Sequence, residues 1–398
     1  MATFTVDFLG CKVSHTDAQE LRERLAADGH VEGGEAADVA VVNTCCVTHE
    51  AVRKSRQAAR RAARTAKHVY VTGCGANLAG DAFASLPENV TVVRLPGERT
   101  PDFVARDVGA VGCVRADIGV DRVRAFVKIQ DGCSFSCAFC VIPQVRGASR
   151  SRSARAVLAE IRRRVAQGHR EVVLTGINLG CFRDRAAGFD LARLVREAGA
   201  TPGLERLRLS SIEVNHLDEK LIAAMRETPA VSPHLHVPLQ SGDDGVLDAM
   251  GRRYTSATYL RRVARAEGFN LTADVIVGFP AEDEAAFQRT LVVVAEAGIT
   301  KVHVFPYSPR PGTRTAAADT VAPEVKRERS ARLRARSAEA CRRAWRAKLG
   351  TEDAVLVDRP GRGYGDDYTP WLVDAPVGGI VRVRAADVSE EGVVGVRV

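Results

Sequence analysis

Three cysteines, Cys133, Cys137 and Cys140, stand at the spacing CxxxCxxC just after an alternating run at 126–130 that predicts a strand. A cubane of four irons needs four outer ligands, so three thiolates on one loop leave one iron open to a small molecule. A catalytic zinc site keeps one position open in the same way. The spacing therefore predicts an iron–sulfur site. The alternatives are three unrelated buried cysteines, or a zinc site for which no fourth Cys or His lies close by in sequence.

A second group of cysteines, Cys11, Cys45 and Cys74, is spread through the first 80 residues. Each stands just past the end of a segment that predicts a strand. Because the carboxyl ends of parallel strands share one edge of a sheet, these thiols are expected to meet there and hold a second cluster. Three separately buried cysteines are the alternative. Cys46 adjoins Cys45, and since neighbouring side chains on an extended segment point opposite ways, only one of them should face the cluster.

The elements that position these thiols follow from the periodicity. Strands and helices alternate over residues 1–110, which predicts an open α/β sheet domain. The alternation continues over 118–345 and predicts a partial (β/α)6 barrel. Short β runs between turn residues at 346–398 predict a small C-terminal β-barrel. The six predicted strands of the central barrel are 126–130, 171–175, 207–210, 235–239, 274–279 and 301–306.

The composition is ordinary for a globular protein, with an excess of positive charge. The 398 residues are 45% apolar and carry a formal net charge of +8, which permits a polyanionic partner. Ten cysteines in a chain of this length do not indicate a small secreted disulfide scaffold. The first residues lack the features of a signal peptide, and no apolar run reaches the roughly 20 residues of a membrane span. We therefore expect a cytoplasmic protein with no membrane attachment.

The CxxxCxxC loop, with the aromatic Phe139 before its last cysteine, resembles the radical S-adenosylmethionine (SAM) superfamily. The segments FLGCKVSHTDAQE, VVNTCCVTHEAVRKSRQAARRA and VTGCGA are similar to the N-terminal domain of the methylthiotransferases, a branch of that superfamily. Within the branch, GCKV, NTCxVT and KSRQxxRRA most resemble the bacterial enzymes that modify threonylcarbamoyladenosine in tRNA. The sequence departs from the usual pattern at Ser14 (usually Asn), Gly75 (usually aromatic) and Cys46 (usually Thr).

This resemblance implies two 4Fe–4S clusters and SAM as cofactors. It assigns Cys133, Cys137 and Cys140 to the catalytic cluster that binds SAM, and Cys11, Cys45 and Cys74 to an auxiliary cluster. It also favours Cys45 over Cys46 as the ligand. The remaining cysteines, Cys113, Cys181 and Cys341, are expected to be incidental.

The SAM contacts that the resemblance implies fall at the carboxyl ends of the predicted barrel strands, where barrel enzymes place their chemistry. TGIN meets the methionine amino group, SSIE contacts the nucleoside, and VIVGFP lines the adenine pocket. The cofactor-binding residues are then Thr175, Gly176, Asn178, Ser211, Glu213, Gln240, Gly278, Phe279 and Pro280.

The C-terminal β-barrel resembles the TRAM domain, an RNA-binding module, and its Tyr364, Tyr368 and Trp371 either stack on bases or form a core. Two basic stretches also favour an RNA partner, although a solvated helix face is the alternative for the longer one. The cations in these stretches are Arg53, Lys54, Arg56, Arg60, Arg61 and Arg64, and Lys326, Arg327, Arg329, Arg332, Arg334, Arg336, Arg342, Arg343, Arg346 and Lys348.

The resemblance thus predicts a tRNA methylthiotransferase that adds a methylthio group to carbon 2 of threonylcarbamoyladenosine, next to the anticodon. Its partners would be the tRNA anticodon stem-loop and a reducing electron donor such as flavodoxin or ferredoxin. An aromatic C–H offers no acidic proton to a general base, so a cofactor must carry the difficult step. The alternatives are isopentenyladenosine in tRNA or a ribosomal-protein aspartate as substrate, or a non-catalytic RNA-binding iron–sulfur sensor, which would need no SAM motifs.

Overall fold

The computed structural model describes residues 1–34, 36–78, 80, 82–95, 100–110 and 123–398, so Cys113 and the junction between the first two predicted domains lie outside the described residues. The chain forms two compact units, each built from segments that are distant in sequence. The first unit contains Met1–Val120, Asp131–Arg150 and Ser308–Ala318. The second contains Asp121–Gln130, Ser151–Tyr307 and Asp319–Val398. The loop with Cys133, Cys137 and Cys140 therefore belongs to the same unit as the N-terminal sheet.

The N-terminal part of the first unit is a five-stranded parallel sheet in the order β2-β1-β3-β4-β5, which confirms the predicted open α/β sheet. Its elements are β1 (Thr3–Phe8), α1 (Lys12–Ala27), β2 (Val31–Glu32), β3 (Val39–Thr44), α2 (His49–Ala62), β4 (His68–Thr72), α3 (Gly73–Ala76), β5 (Val90–Val92) and α4 (Thr100–Val108).

Burial explains which residues form the central strand and the first helix of this domain. β3 is buried along its whole length, as expected for a Val- and Ala-rich central strand covered on both faces. Leu21 and Leu25 of α1 lie in the core. Thr16 and Asp17 are residue types that often cap helices and would place the start of the helix there, but α1 already begins at Lys12 and both side chains are buried within it.

The second unit contains six parallel strands in chain order, as predicted. β6, β9 and β12 form one three-stranded sheet and β13, β14 and β15 another. Single bridges at Leu207–Val231 and Ser211–His236 continue the pairing from β12 towards β13. From residue 123 to 307 the elements are β6 (Arg124–Lys128), β7 (Gln130–Asp131), α5 (Ile142–Arg146), β8 (Arg150–Ser151), α6 (Ala154–Ala166), β9 (Glu171–Thr175), β10 (Arg183–Asp184), β11 (Phe189–Asp190), α7 (Leu191–Gly199), β12 (Arg206–Leu209), α8 (Glu219–Glu227), β13 (His234–His236), α9 (Asp244–Ala249), α10 (Ser256–Val263), β14 (Asn270–Val277), α11 (Glu284–Glu296) and β15 (Lys301–Pro306).

Side-chain caps fix where the barrel helices begin. At each cap, a Ser, Thr or Asp oxygen accepts a backbone N–H three residues further on, which typically contributes about 1 kcal/mol. The loops between the strands and these helices therefore lie at the carboxyl ends of the strands. The capping residues are Ser153, Asp190, Asp218, Asp243, Thr255 and Asp283.

The C-terminal residues form α12 (Pro323–Arg346) and a closed five-stranded barrel, which confirms the predicted β-barrel. The strand order is β16-β17-β18-β20-β19. The sequence does not reveal β17, because Gly361, Gly363 and Gly365 surround it and are typical of turns. Its strands are β16 (Glu352–Arg359), β17 (Arg362–Tyr364), β18 (Pro370–Leu372), β19 (Ile380–Val388) and β20 (Val393–Arg397).

The barrel aromatics take part in packing within the second unit. Trp371 is 1% exposed and belongs to the barrel core. The rings of Tyr364 and Tyr368 stack with centroids 4.7 Å apart. The Arg124 guanidinium lies 5.1 Å from the Tyr364 centroid, and that of Arg208 lies 4.9 Å from the Tyr368 centroid. Of the two roles predicted for these aromatics, the structure shows the packing role.

A buried ionic cluster joins this small barrel to the first residues of the six-stranded array. The Glu171 carboxylate lies 3.4 Å from Arg124 Nε, 3.1 Å from Arg206 Nη1 and 3.0 Å from Arg208 Nε. Arg206 also donates to the carbonyl of Ala354 at 2.6 Å. Burial would raise the pKa of Glu171, but the three guanidiniums outweigh it and hold the pKa below its ordinary value. The cluster lies at the amino ends of the strands, the end of such barrels associated with stability.

We predict that Glu171→Gln lowers the free energy of unfolding by about 3–5 kcal/mol at pH 7, because three buried guanidiniums lose their shared carboxylate. Since the folded-state pKa of Glu171 is depressed, its contribution is complete above the unfolded-state pKa and is lost as the pH falls through the folded one. The difference in the free energy of unfolding between wild type and Glu171→Gln should therefore shrink towards low pH. Urea unfolding at several pH values measures both effects.

Glu205→Gln is the matched control, because Glu205 forms an exposed ion pair with Arg170 at 2.9 Å. Such a pair contributes under about 1 kcal/mol. If Glu171→Gln and Glu205→Gln lower the free energy of unfolding equally, the buried cluster does not stabilise the fold.

Candidate active site

Cys11, Cys45 and Cys74 lie at one edge of the N-terminal sheet. Cys11 caps α1 directly after β1, Cys45 follows β3, and Cys74 lies in α3 directly after β4. These three strands are neighbours and their registers bring their carboxyl ends level. Cys45 interacts electrostatically with both Cys11 and Cys74. The fold therefore brings together the three thiols that the sequence placed at strand ends.

Two glycines allow the backbone turns to approach each other so closely. Gly10 has φ of 122°, and a Cβ there would lie 3.0 Å from Cys45 Cβ. Gly73 has φ of 85°, and a Cβ there would lie 1.9 Å from Asn43 Oδ1. The positive φ angles at both positions favour glycine. A Cβ at Gly73 would overlap Asn43, and a Cβ at Gly10 would make a tight contact with Cys45. The glycines that precede Cys11 and Cys74 are thus a steric requirement of the site.

Polar side chains from the surrounding motifs fix the backbone of Cys45. The Cys45 N–H donates to Ser55 Oγ at 3.1 Å, and Ser55 lies in the KSRQ segment of α2. Thr44 Oγ1 donates to the carbonyl of Thr72 at 2.5 Å and so ties β3 to the turn that carries Cys74. The NTC and KSRQ segments are therefore linked physically, although some 10 residues separate them in sequence.

The thiols differ in how readily they lose their protons. Burial raises the pKa of Cys45 to about 11. A hydrogen bond from Cys46 lowers the pKa of Cys74 to about 7 against the effect of burial, and Arg146 acts in the same direction. The same hydrogen bond raises the pKa of Cys46. Of the thiols of Cys45, Cys46 and Cys74, that of Cys74 is therefore the most readily ionised.

Cys46 belongs to a described apolar cluster that does not include Cys45. Its side chain is fully buried in a cluster with Val52, Leu78 and Val141. Arg310 Nη1 donates to its carbonyl at 3.3 Å. These contacts support the expectation that Cys45 and Cys46 have different roles.

The CxxxCxxC loop is closed by its own backbone. The Cys133 N–H donates to the Gly147 carbonyl at 3.0 Å, and the Cys140 N–H donates to the Cys137 carbonyl at 3.2 Å. The Phe135 N–H donates to Cys133 Sγ at 3.4 Å, a contact that favours the thiolate. All three cysteines are half-buried. The loop therefore presents its sulfurs while keeping them partly shielded.

The segment 308–318, which sequence reasoning did not single out, supports both cysteine groups within the first unit. Thr315 donates to the Ala138 carbonyl from its N–H at 3.2 Å and from its Oγ1 at 3.1 Å. The same segment carries Arg310, which reaches the Cys46 carbonyl. The only sequence signal is the density of Pro, Gly and Arg in SPRPGTR, which is typical of a loop.

The donor sets of both groups suit an iron–sulfur cluster, since thiolates are its usual protein ligands. Within the described part of the chain, no group of three or more His, Cys, Asp or Glu side chains is arranged to hold a single metal ion. A four-iron cluster spreads its ligands farther apart than one ion does. The half-buried loop and the level strand ends fit a cluster better than zinc.

In the second unit, the TGIN segment follows β9. A Cβ at Gly176 would lie 3.0 Å from the Gln130 carbonyl oxygen, so the backbone after β9 closely approaches the backbone of β7 there. The Asn178 N–H donates to Gln130 Oε1 at 2.8 Å. Asn178 Oδ1 is buried and accepts no hydrogen bond from the described residues, and Thr175 is buried at the strand end. An orphaned acceptor here fits a ligand that brings a donor, such as an amino group.

Glu213, two residues after Ser211, is held by a partner that sequence reasoning left without a role. Arg252 Nη2 lies 3.0 Å from Glu213 Oε1, and Arg252 Nε donates to Tyr254 Oη at 3.2 Å. Tyr254 in turn donates to the Leu239 carbonyl at 2.8 Å. The GRRYT stretch therefore positions Glu213 at the carboxyl end of β12.

The remaining predicted contacts lie at the ends of β13 and β14. Gln240 has φ of 65°, a left-handed conformation that is costly for a residue with a side chain and is common at functional sites. The Gly278 N–H donates to Glu282 Oε1 at 2.7 Å. Phe279 is 1% exposed and packs edge-on against Tyr307, and Pro280 follows it half-buried. The Phe279 ring is thus part of the core. At this point the chain can contact a ligand through its backbone.

Two family models match the chain. The radical SAM superfamily matches residues 127–294, and an uncharacterized protein family, UPF0004, matches residues 3–94. The first range begins in β6 and includes the CxxxCxxC loop, and the second includes Cys11, Cys45 and Cys74.

Curated relatives match nearly the whole chain. Threonylcarbamoyladenosine tRNA methylthiotransferase MtaB of Chlamydia pneumoniae is 34% identical over 99% of this chain and 97% of that protein. The Bacillus subtilis protein of the same name is 36% identical over 84% and 80%. tRNA-2-methylthio-N(6)-dimethylallyladenosine synthase of Cereibacter sphaeroides is 35% identical over 94% of each chain. This chain belongs to the radical SAM methylthiotransferase family.

A solved structure shares the fold of this methylthiotransferase. The radical S-adenosylmethionine methyltransferase TsrM from Kitasatospora setae superposes with a TM-score of 0.54 at 15% identity, over 79% of this chain and 77% of that one. As a radical SAM methylthiotransferase, the protein is an enzyme whose cofactors are SAM and two 4Fe–4S clusters. Among the described helices, none is long and apolar enough to cross a bilayer.

We predict that the two cysteine groups of this methylthiotransferase fail separately. Protein reconstituted without oxygen should bind about eight irons, four per cluster. Cys133→Ala should retain about four and lose cleavage of SAM to 5′-deoxyadenosine. Cys45→Ala should retain about four and still cleave SAM. Iron analysis and chromatography of the nucleoside product measure these outcomes.

Cys46→Ala should keep about eight irons, because Cys46 is expected to act as a hydrogen-bond donor and not as a ligand. Cys341→Ser is the control, since Cys341 donates only to the Thr300 carbonyl, at 3.1 Å, among its described hydrogen bonds. Continued SAM cleavage by Cys133→Ala would overturn the assignment of the catalytic loop. Loss of iron from Cys46→Ala but not from Cys45→Ala would reverse the two roles.

Proposed function

We propose that this methylthiotransferase acts on tRNA and adds a methylthio group to carbon 2 of threonylcarbamoyladenosine, the modified base 3′ of the anticodon. The observation that carries the proposal is the near-complete match to relatives named for that activity, at 33–36% identity in three organisms. The GCKV, NTCxVT and KSRQ segments support the same branch. The structure gives these segments a shared physical role, because all of them position Cys11 or Cys45.

Each predicted site residue has a role in this proposal. Cys133, Cys137 and Cys140 hold the catalytic cluster, and Cys11, Cys45 and Cys74 hold the auxiliary cluster. When bound, the clusters and SAM supply the one-electron chemistry, the sulfur and the methyl group that replace the hydrogen at carbon 2. An electron donor such as flavodoxin or ferredoxin supplies the reducing equivalents, and a tRNA substrate implies a cytoplasmic location.

The side chains of the second unit bind and orient SAM. Asn178 Oδ1 accepts from the methionine amino group, which satisfies a buried acceptor. Glu213, fixed by Arg252, accepts from nucleoside hydroxyls. Thr175, Gly176, Ser211, Gln240 and the Gly278–Pro280 backbone complete the pocket walls.

Isopentenyladenosine in tRNA is a second candidate substrate. The observation in its favour is the relative named tRNA-2-methylthio-N(6)-dimethylallyladenosine synthase, which is 35% identical over 94% of the chain. The two substrates share the adenine ring and differ in the group on N6. The residues that recognise that group therefore decide between them.

The distribution of exposed charge supports an RNA partner. On α12, Lys326 and Arg329 are buried and paired with Asp319 and Glu282, so part of the predicted basic stretch is internal. Most of the remaining cations are exposed. The exposed cations of the two basic stretches are Arg53, Lys54, Arg60, Arg61, Arg64, Arg327, Arg334, Arg336, Arg342, Arg343 and Arg346.

A cavity of about 430 Å³ between β15 and α12 concentrates this charge. β15 is the last strand of its sheet, so one of its edges pairs with no other strand in the described chain. Lys301, Arg334 and Arg342 line the cavity with one carboxylate, Glu390, and with Phe305, whose side chain is 41% exposed. Cations beside an exposed aromatic ring are typical of surfaces that bind single-stranded nucleic acid. We propose that this cavity contacts the tRNA backbone.

We predict that tRNA from a strain lacking this gene lacks the methylthio form of threonylcarbamoyladenosine and accumulates its unmethylthiolated precursor. Mass spectrometry of digested total tRNA measures both nucleosides. Wild-type protein should restore the methylthio form, and Cys133→Ala should not. If methylthiolated isopentenyladenosine disappears instead, the substrate proposal is wrong while the enzyme class stands. If complementation changes neither nucleoside, the proposed tRNA activity is wrong.

We predict that Arg334→Gln with Arg342→Gln weakens binding of an anticodon stem-loop and flattens its salt dependence. Each phosphate contact contributes about 0.7–0.9 to the slope of log K against log salt, so losing two should reduce the slope by about 1.5. Fluorescence anisotropy with labelled RNA at several salt concentrations measures the slope.

Arg327→Gln with Arg336→Gln is the matched control, with the same change in charge on the same helix. These arginines pair with Glu324 and Glu339 and do not line the cavity. Equal slopes for the two double variants would show that the cavity is not an RNA contact. Failure of the wild-type protein to bind the stem-loop would count against the tRNA proposal itself.

A further inference from the structure

Arg146 connects the two cysteine groups of the first unit. It is the last residue of α5, directly after the CxxxCxxC loop, and is 2% exposed. Its Nε donates to Cys74 Sγ at 2.9 Å. Its Nη1 donates to Asp131 Oδ1 at 3.0 Å, and its Nη2 donates to Asp17 Oδ2 at 2.8 Å.

We infer that Arg146 is a positioning residue that fixes the auxiliary-cluster ligand Cys74 relative to the catalytic cysteine loop and raises the reduction potential of the auxiliary cluster. The inference rests on the proposed function, because it takes Cys74 as a cluster ligand. It adds a residue that neither the sequence motifs nor the family comparison assigns.

The geometry calls for an arginine in particular. A guanidinium offers five N–H donors in a rigid planar fork, so it can address a sulfur and two carboxylates at once. A lysine has one nitrogen on a flexible stem and cannot span three acceptors in fixed directions. The three acceptors come from α1, from the turn after β4 and from the start of the cysteine loop. Arg146 therefore holds three separate parts of the chain in one arrangement.

Two carboxylates and a second guanidinium surround Arg146. Asp131 also accepts from Arg150, at 3.1 Å, so two guanidiniums face two carboxylates, those of Asp131 and Asp17. The positive charge of Arg146 and its N–H bond directed at the Cys74 sulfur act in the same direction, since both favour the more negative form of the cluster. A hydrogen bond to a ligand sulfur stabilises the more negative, reduced form of a cluster and raises its potential.

A purely structural role of Arg146 would not require the hydrogen bond from its Nε to the Cys74 sulfur. The two carboxylates alone are enough to hold a buried guanidinium, as the pairs with Asp17 and Asp131 show. The Nε–H is instead directed at the Cys74 sulfur, which also receives the hydrogen bond from Cys46. The inference rests on this directed contact from Arg146 to the Cys74 sulfur.

The test isolates the auxiliary cluster in the full-length chain by replacing Cys133, Cys137 and Cys140 with alanine. In that background, Arg146→Gln, Arg146→Lys and Arg150→Gln are reconstituted without oxygen, and iron content and a redox titration followed by electron paramagnetic resonance are measured. Arg150→Gln is the matched control, because Arg150 shares Asp131 but has no described contact with Cys74.

Arg146→Gln should lower the potential enough to change the ratio of reduced to oxidised cluster at least tenfold, which is about 59 mV for one electron. Arg146→Lys should shift it in the same direction by less, and Arg150→Gln should stay within threefold of the background. A full cluster with an unchanged potential in Arg146→Gln would overturn the inference. So would a potential in Arg146→Lys equal to that of the background, because charge alone would then suffice.

Two further outcomes keep the inference separate from the proposed function. If Arg146→Gln does not fold, Arg146→Lys decides alone, since it keeps the buried charge. If adding Cys45→Ala to the triple-alanine background leaves its iron content unchanged, the auxiliary-cluster assignment itself is wrong, and with it the basis of the proposed function.

Discussion

Parallel strands end at a common edge, and both halves of the chemistry of this protein depend on that constraint. In the N-terminal sheet it brings together Cys11, Cys45 and Cys74, which no short motif connects. In the six-stranded array it brings TGIN, SSIE and VIVGFP to the same end of three parallel strands. The opposite, amino-terminal end is used for stability, where Glu171 and its arginines hold the small C-terminal barrel.

The Cys74 sulfur shows how the surroundings of a ligand can matter as much as the ligand itself. It is fully buried, yet it receives hydrogen bonds from Cys46 and Arg146, so the cost of burying a thiolate is offset by directed donors. Among the residues that the structure describes, no charged side chain donates to Cys45, and burial favours its neutral form. Neighbouring ligands of one proposed cluster therefore differ in how strongly they favour the charged form.

Most of the fold could be predicted from periodicity and turn residues, because buried parallel strands are apolar runs with clear ends. The exceptions have physical reasons. β17 is hidden among glycines, and Thr16 and Asp17, which are typical cap residues in sequence, lie buried inside α1. The placement of Cys11, Cys45 and Cys74 at strand ends could be predicted, because each strand and the cysteine after it are local in sequence. The roles of Arg146, Arg252 and segment 308–318 could not, because each acts on residues far away in sequence.

The return of segment 308–318 to the N-terminal unit has a consequence for how the protein is made. Thr315 secures the cysteine loop and Arg310 the backbone at Cys46, so neither group has its complete surroundings until about 318 residues have left the ribosome. N-terminal segments generally begin to fold during synthesis. Here the sheet can form early, but the enclosure around the thiols is finished only late. A product terminated before this segment would therefore lack the contacts that complete the surroundings of both cysteine groups.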